Sequence, residues 1–344
     1  MEPKYSVLYF KEELSQNHDK IRTWLMDGRK VFWFGKAHEC EMLRKEFPGF
    51  AKEFFLQTYD VSNVEGADAL LPAEVIDGMG ADDTYASLFD WFERKVAAFN
   101  TAQYRVEHGK EMANIVVKAS AGTGKTTVMI DRILYLMHMV PDLKMSEIYM
   151  ITFTNEATSQ MNARLQEKLL SKYSLTKKKR YLSWLEQQSQ MHISTIDRLA
   201  YDLFRRFGTG VGFGRDLEIR PMEKERKDLI KDILSDCLNE RKAIVEQIGM
   251  TYPEAGRLID SYWRELTRKG YTIDEILEKD WGSMEQEAAA ANFQRILCTV
   301  LKRFEGRYGQ LKRDSNAISI NDLFFDFGHY LLDKRLDCNG LDMR

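Results

Sequence analysis

Eight residues, Ala119-Ser120-Ala121-Gly122-Thr123-Gly124-Lys125-Thr126, do more than any others to limit what this chain can fold into. They lie between an apolar triplet, Ile115-Val116-Val117, which reads as a short strand, and an amphipathic helical run from Thr126 to Met137. A glycine-rich turn between a strand and a helix, closed by Lys and Thr, has the form of a phosphate-binding loop. Gly122 and Gly124 let the backbone turn tightly, so that successive N–H groups point at phosphate oxygens. The helix that follows adds the positive end of its dipole. Lys125 can reach the β- and γ-phosphates of a nucleotide, and the Thr126 hydroxyl can ligate Mg²⁺. The loop begins with Ala119 where the general pattern has Gly, a mild change if the backbone there needs no positive φ.

The pattern on either side extends this α/β reading. The first stretch alternates β-type runs (5–10, 30–35 and 54–61) with helical ones (13–26 and 37–46), which suggests a small α/β unit over residues 1–95. Residues 64–84 turn acidic and rich in Gly and Ala, the mark of a linker or long loop and of a domain boundary. Helices at 87–98 and just after Asn100, strands at 148–153 and 192–196, and a helix at 157–170 alternate at the spacing of a parallel sheet with crossover helices. After Pro141 only Pro221 and Pro253 interrupt the chain, so 222–304 can be nearly all helix. The expected division is 1–95, a phosphate-binding subdomain at 96–220, a helical insertion at 221–310, and a return at 311–344. The expected fold class is α/β: a P-loop NTPase built on a RecA-like parallel sheet.

Charge argues little for or against partners. The 50 Lys and Arg against 53 Asp and Glu leave a net −3, so any nucleic-acid contact must come from local clusters. Apolar runs fall short of the roughly 20 residues of a membrane span, and the four cysteines show no metal-binding pairs. The expectation is a cytoplasmic protein with reduced thiols and no membrane partner. Lys177-Lys178-Lys179-Arg180 reads as a solvated helical face, and the glycines at 208, 210, 212 and 214 as a turn before Leu217-Glu218-Ile219. Trp and Tyr residues of the helical stretch read as core rather than base-stacking platforms.

Three further stretches narrow the function. Gln103, in Phe99-Asn100-Thr101-Ala102-Gln103, carries a carboxamide whose donor and acceptor match adenine N6 and N7. Ile151-Thr152-Phe153-Thr154-Asn155-Glu156-Ala157-Thr158 ends a strand and opens a helix, with Met161, Arg164 and Leu165 on the following turns. An ordinary helix cap by Thr154 or Asn155 would also account for it. Together with the loop these resemble motifs of UvrD/Rep-like superfamily 1 DNA helicases: an adenine-reading Gln, the Walker loop, and a motif that touches single-stranded DNA. Ser194-Thr195-Ile196-Asp197-Arg198-Leu199 looks like the family's Thr-x-His-Ser-Phe element, with Asp197, Arg198 and Leu199 where His, Ser and Phe are usual. The Asp and the form of the loop are similar to those of exonuclease V beta-type nuclease-helicases. Ile318-Ser319-Ile320-Asn321-Asp322-Leu323 is similar to the segment before the family's second Walker motif.

The resemblance covers roughly 97–333. It implies a RecA-like motor subdomain with ATP and Mg²⁺ as ligands. Gln103, Ala119, Ser120, Ala121, Gly122, Thr123, Gly124, Lys125, Thr126 and Thr127 would hold the nucleotide, with Thr126 on the metal. Thr152, Phe153, Thr154, Asn155 and Arg164 would face DNA. Implied partners are single-stranded or tailed DNA and a second helicase or nuclease subunit.

No complete catalytic set is legible. A motor of this class also needs an apolar strand ending in an Mg²⁺-holding Asp and a water-activating Glu. The one Asp-Glu pair, Asp274-Glu275, follows a lead too short and polar for a buried strand and reads as a helix N-terminus. Tyr330-Leu331-Leu332-Asp333 has an apolar lead but runs into Lys334. The expectation is a chain truncated before the second Walker motif, an ATP-dependent helicase by ancestry that does not hydrolyse ATP alone. The competing expectation is a non-hydrolysing nucleotide- or DNA-binding module.

Overall fold

Lys30-Val31-Phe32-Trp33-Phe34 is buried along its whole length, and alternation along a strand sends its side chains to two different cores. The computed structural model describes residues 5–10, 14–64, 76–77, 86–109, 114–240, 250–277 and 288–332. Two compact units emerge, Met1–Ser194 and Thr195–Asp342.

The first unit opens with β1 (Ser6–Phe10), α1 (Leu14–Met26), β2 (Lys30–Gly35), α2 (Ala37–Glu46), α3 (Pro48–Lys52) and β3 (Leu56–Asp60). These three strands are parallel, with Ser6 opposite Lys30 and Val31 opposite Leu56. Most of residues 64–84, read as a linker, lie outside the described residues. Ile76–Asp77, however, is a strand, β4, which pairs antiparallel with β1 and gives the order β3-β2-β1-β4. On one face Val31 and Trp33 pack with Ile21, Leu25, Leu43 and Phe50. On the other, Phe32 and Phe34 meet Phe89, Phe92, Phe99 and Tyr104 of α4 (Ala86–Lys95), α5 (Thr101–Glu107) and the turn between them. A strand covered on both faces needs the continuous apolar run seen here.

The same unit continues with α6 (Lys125–Met139), β5 (Tyr149–Thr152), α7 (Asn155–Thr176), α8 (Lys179–Gln187) and β6 (His192–Thr195). Ile130, Leu134, Met150, Leu165, Leu169 and Tyr181 form their core, which also takes in Tyr5. The expected strand at 115–117 is not one. The segment pairs with no strand among the described residues, and Ile115, Val116 and Val117 are all exposed, Val116 to 86%. Apolar β-branched residues favour an extended chain, but a strand exists only where a neighbour takes up its hydrogen bonds. The basic run at 177–180 is exposed, as expected of a solvated face, and also makes local contacts. Lys177 caps α7 in the left-handed conformation, Lys178 pairs with Asp27 at 2.8 Å, and Arg180 donates to the Asp27 carbonyl.

The second unit holds α9 (Ile196–Phe207), β7 (Glu218–Ile219), α10 (Glu223–Glu240), α11 (Tyr252–Lys269), α12 (Ile273–Leu277), α13 (Ala288–Asp314), β8 (Ala317–Ile318) and α14 (Ile320–Leu332). β7 and β8 pair in parallel, Glu218 opposite Ala317. The long helical stretch therefore leaves and returns at one place. Its core is Ile230, Leu234, Ile259, Leu297, Phe304 and neighbours, with Trp263 and Tyr308 buried inside it, whereas Tyr252, Tyr262 and Tyr271 are exposed. Asp274-Glu275 does open a helix: Glu275 accepts from the Thr272 N–H at 2.8 Å and returns its own N–H to the Thr272 hydroxyl at 3.1 Å. Among the described residues no helix is long and apolar enough to cross a membrane.

Candidate nucleotide-binding site

The loop at 119–124 owes its shape to its glycines. Gly122 has φ +78° and Gly124 φ +83°, a conformation that favours glycine at both, and a Cβ at 124 would lie 2.9 Å from Gln103 Nε2 and displace that side chain. Ala119 is not among the positive-φ residues, so alanine costs nothing at that place. Gly124 is the N-cap of α6 and no side chain caps it, which leaves the first N–H groups of the helix open to an anion. Lys125 folds back over the loop and donates to the carbonyls of Ala119, at 3.0 Å, and Ser120. Thr123 closes the turn through its hydroxyl to the Ser120 carbonyl at 2.9 Å. Thr126 and Thr127 stand in the first turn of α6.

Gln103 meets this loop from α5. Asn100 caps that helix by accepting from the Gln103 N–H at 3.0 Å, which orients the side chain. Its Nε2 donates to the Thr123 carbonyl at 2.9 Å. The residues expected to hold a nucleotide thus come together. A cavity of about 530 Å³ lies against Gln103, Val106, Val117, Lys125 and Met129. A second, of about 350 Å³, adjoins Gln103, Gly124 and Thr127 from the side of β2 and β3.

Beneath the second cavity sits a buried charge cluster that sequence reading missed. Lys30, at the start of β2, reaches Glu107 of α5 at 2.7 Å and Asp131 of α6 at 3.2 Å, and Lys168 of α7 lies 3.9 Å from Asp131. Burial works to lower the Lys30 ammonium, but the carboxylates of Asp131 and Glu107 outweigh it and hold its pKa above the ordinary lysine value. Burial lifts the Glu107 carboxyl, whereas Lys30 and Lys168 overcome burial and hold Asp131 low. One signal was available: a lysine opening an otherwise apolar strand.

The expected DNA-facing residues divide. Thr152 is buried, its hydroxyl shared with the Thr154 carbonyl at 3.0 Å and the Thr158 hydroxyl at 2.7 Å. Thr154 caps α7 by accepting from the Ala157 N–H at 3.1 Å. Phe153 is 92% exposed, and Asn155 and Arg164 are exposed as well. Farther on, Thr195 caps α9 through the Arg198 N–H, and Arg198 pairs with Asp202 at 3.0 Å. Asp322 is buried, accepting from Tyr308 at 2.8 Å and from Ser319, its own helix cap. Asp333 lies outside the described residues.

Residues 100–337 match the model of the UvrD/REP helicase N-terminal domain. The chain is also 30% identical over 195 residues, 53% of its length, to proteins named as ATP-dependent helicase/nuclease subunits from two strains of Streptococcus pyogenes, and 29% identical over 194 residues to the protein of that name from a third. It spans only 16% of the length of those relatives. With Gln103, the glycine loop and the capped strand-to-helix turn at 152–158 all within the matched stretch, the chain belongs to the UvrD/REP helicase N-terminal domain family.

Proposed function

We propose that this chain is the ATP-binding portion of a UvrD-like, ATP-dependent DNA helicase or translocase acting on single-stranded DNA in replication, repair or recombination. The observation that carries the reading is the junction of Gln103 with the glycine loop at the uncapped start of α6. It offers a charged anion cradle and an amide beside it for a base. The residues present fit Mg-ATP: the open N–H groups and Lys125 suit the phosphates, and Thr126 would ligate the metal. In this reading the fold is a P-loop motor subdomain at 96–220, completed from 311 onward, with 221–310 as a helical insertion and 1–95 as a small α/β unit. Exposed Phe153, Asn155 and Arg164 would meet DNA. The relatives' name includes a nuclease, so a nuclease or second helicase subunit is the proposed protein partner.

Calorimetry with Mg-ATP tests this directly. The wild type should bind, and Lys125→Ala should abolish binding without loss of fold, because the exposed ammonium is a phosphate ligand and not a core group. Equal affinity in both would overturn the assignment.

A second reading, a nucleotide- or DNA-binding module without turnover, is favoured by one observation. The sole Asp-Glu pair of the chain is committed to capping α12.

A further inference from the structure

Phe54 is an anomaly that the fold does not require. The N–H of Phe55 bonds the Phe50 carbonyl at 2.9 Å and that of Phe54 the Ala51 carbonyl at 3.2 Å, the paired bonds of a Schellman cap closing α3. Phe54 holds the position that glycine normally takes, at φ +60°. A side chain there costs on the order of 1–2 kcal/mol, and the ring recovers little by burial, being 63% exposed. Strain of this kind clusters at functional sites, although Lys177 shows that a helix cap alone can also hold it.

The ring lines the cavity of about 350 Å³ that adjoins the glycine loop. Gly124 and Thr127 at the start of α6, and the cap Asn100 with Gln103 and Glu107 of α5, line the same cavity. The volume falls within the roughly 300–1,000 Å³ of small-molecule pockets. Glu107, 96% buried, lines the same cavity, and its Oε1 has no hydrogen-bond partner although Oε2 is paired with Lys30. An orphaned buried acceptor calls for a donor from a ligand. Gln57 steadies the approach: its Nε2 donates to the Phe54 carbonyl at 3.3 Å, and its Oε1 accepts from Tyr59 at 2.6 Å.

We propose that Phe54 stacks on the base of the nucleotide whose phosphates occupy loop 119–126, so that the N-terminal sheet supplies one wall of the base subsite. The proposal rests on reading that loop as an ATP site. An amino or hydroxyl donor of the nucleoside meets Glu107 Oε1, and the base lays its face on the Phe54 ring and its edge towards the Gln103 amide.

Calorimetry with Mg-ATP and with inorganic tripolyphosphate separates the two ideas. Phe54→Gly should keep or raise its melting temperature, because glycine suits the left-handed cap. It should bind ATP roughly tenfold more weakly and tripolyphosphate unchanged. Phe54→Tyr should bind both as the wild type does. Wild-type ATP affinity in Phe54→Gly, alongside loss in Lys125→Ala, would overturn the stacking role and leave the ATP site standing. Equal weakening of ATP and tripolyphosphate would also overturn it, by showing an effect on the loop and not the base. Wild-type protein that fails to bind ATP would sink the ATP site and this proposal with it.

Discussion

Gln103 holds the glycine loop with the same carboxamide that matches an adenine edge. Its Nε2 is engaged by the Thr123 carbonyl, while Oε1 is free to accept from adenine N6. Guanine presents an acceptor at that place, so the amide favours adenine only if it stays in this orientation. Gln103→Ala should therefore weaken ATP more than GTP, by about tenfold against about threefold, the smaller loss reflecting the freed loop. Titration of both nucleotides into wild type and variant checks it; equal weakening would remove the base-reading role. Thr154 shows the opposite lesson. Its side chain is fully used in capping α7, so the family motif at 152–158 is in part a structural device.

At the scale of elements, the buried cluster joins β2, α5 and α6, three of the elements around the second cavity. A buried ion pair adds little net stability against an apolar replacement of both partners, but removing one partner strands the others. Lys30→Met would leave Glu107 and Asp131 buried with their main counter-ion gone. We expect it to lose about 3–5 kcal/mol of unfolding free energy in urea, and to regain part of that when combined with Glu107→Gln. A loss below about 1 kcal/mol would mean that water already screens the pair. Because Glu107 also faces the proposed base subsite, ATP should raise the urea midpoint of the wild type by mass action.

For the whole molecule, nucleotide binding and hydrolysis can be measured separately. Phosphoryl transfer in this class relies on positioning and charge stabilisation, and an arginine finger alone is worth on the order of 10³–10⁵ in rate. Here the one Asp-Glu pair serves a helix end in the second unit, and Asp322 is spent on Tyr308 and Ser319. The chain as given should bind Mg-ATP and turn it over below about 0.1 per second, against an enzyme median on the order of 10 per second. A phosphate-release assay with and without single-stranded oligonucleotide measures this; DNA-stimulated turnover of several per second would show a catalytic carboxylate overlooked, with Asp333 the first to mutate. Because the proposed DNA-facing residues supply only part of a phosphate-contacting track, DNA binding should also be weak and salt-sensitive.

Local chemistry decided much of this protein. Glycine at 122 and 124, a cap at Thr154, and the apolar runs of β1, β2 and β3 act over a few residues, so their roles could be read in order along the chain. The helical stretch after Pro221 and the cap at Asp274-Glu275 were legible for the same reason. Contacts distant in sequence were not. The triplet at 115–117 has the composition of a strand, but pairing requires a partner that composition does not name. Lys30 meets Asp131 across 101 positions, and Phe54 and Gln103 line one cavity although they lie far apart in the chain. Helix, turn and loop follow from neighbours in the chain; buried charge and cavity walls follow from which surfaces the folded chain brings together, and only tertiary packing decided those.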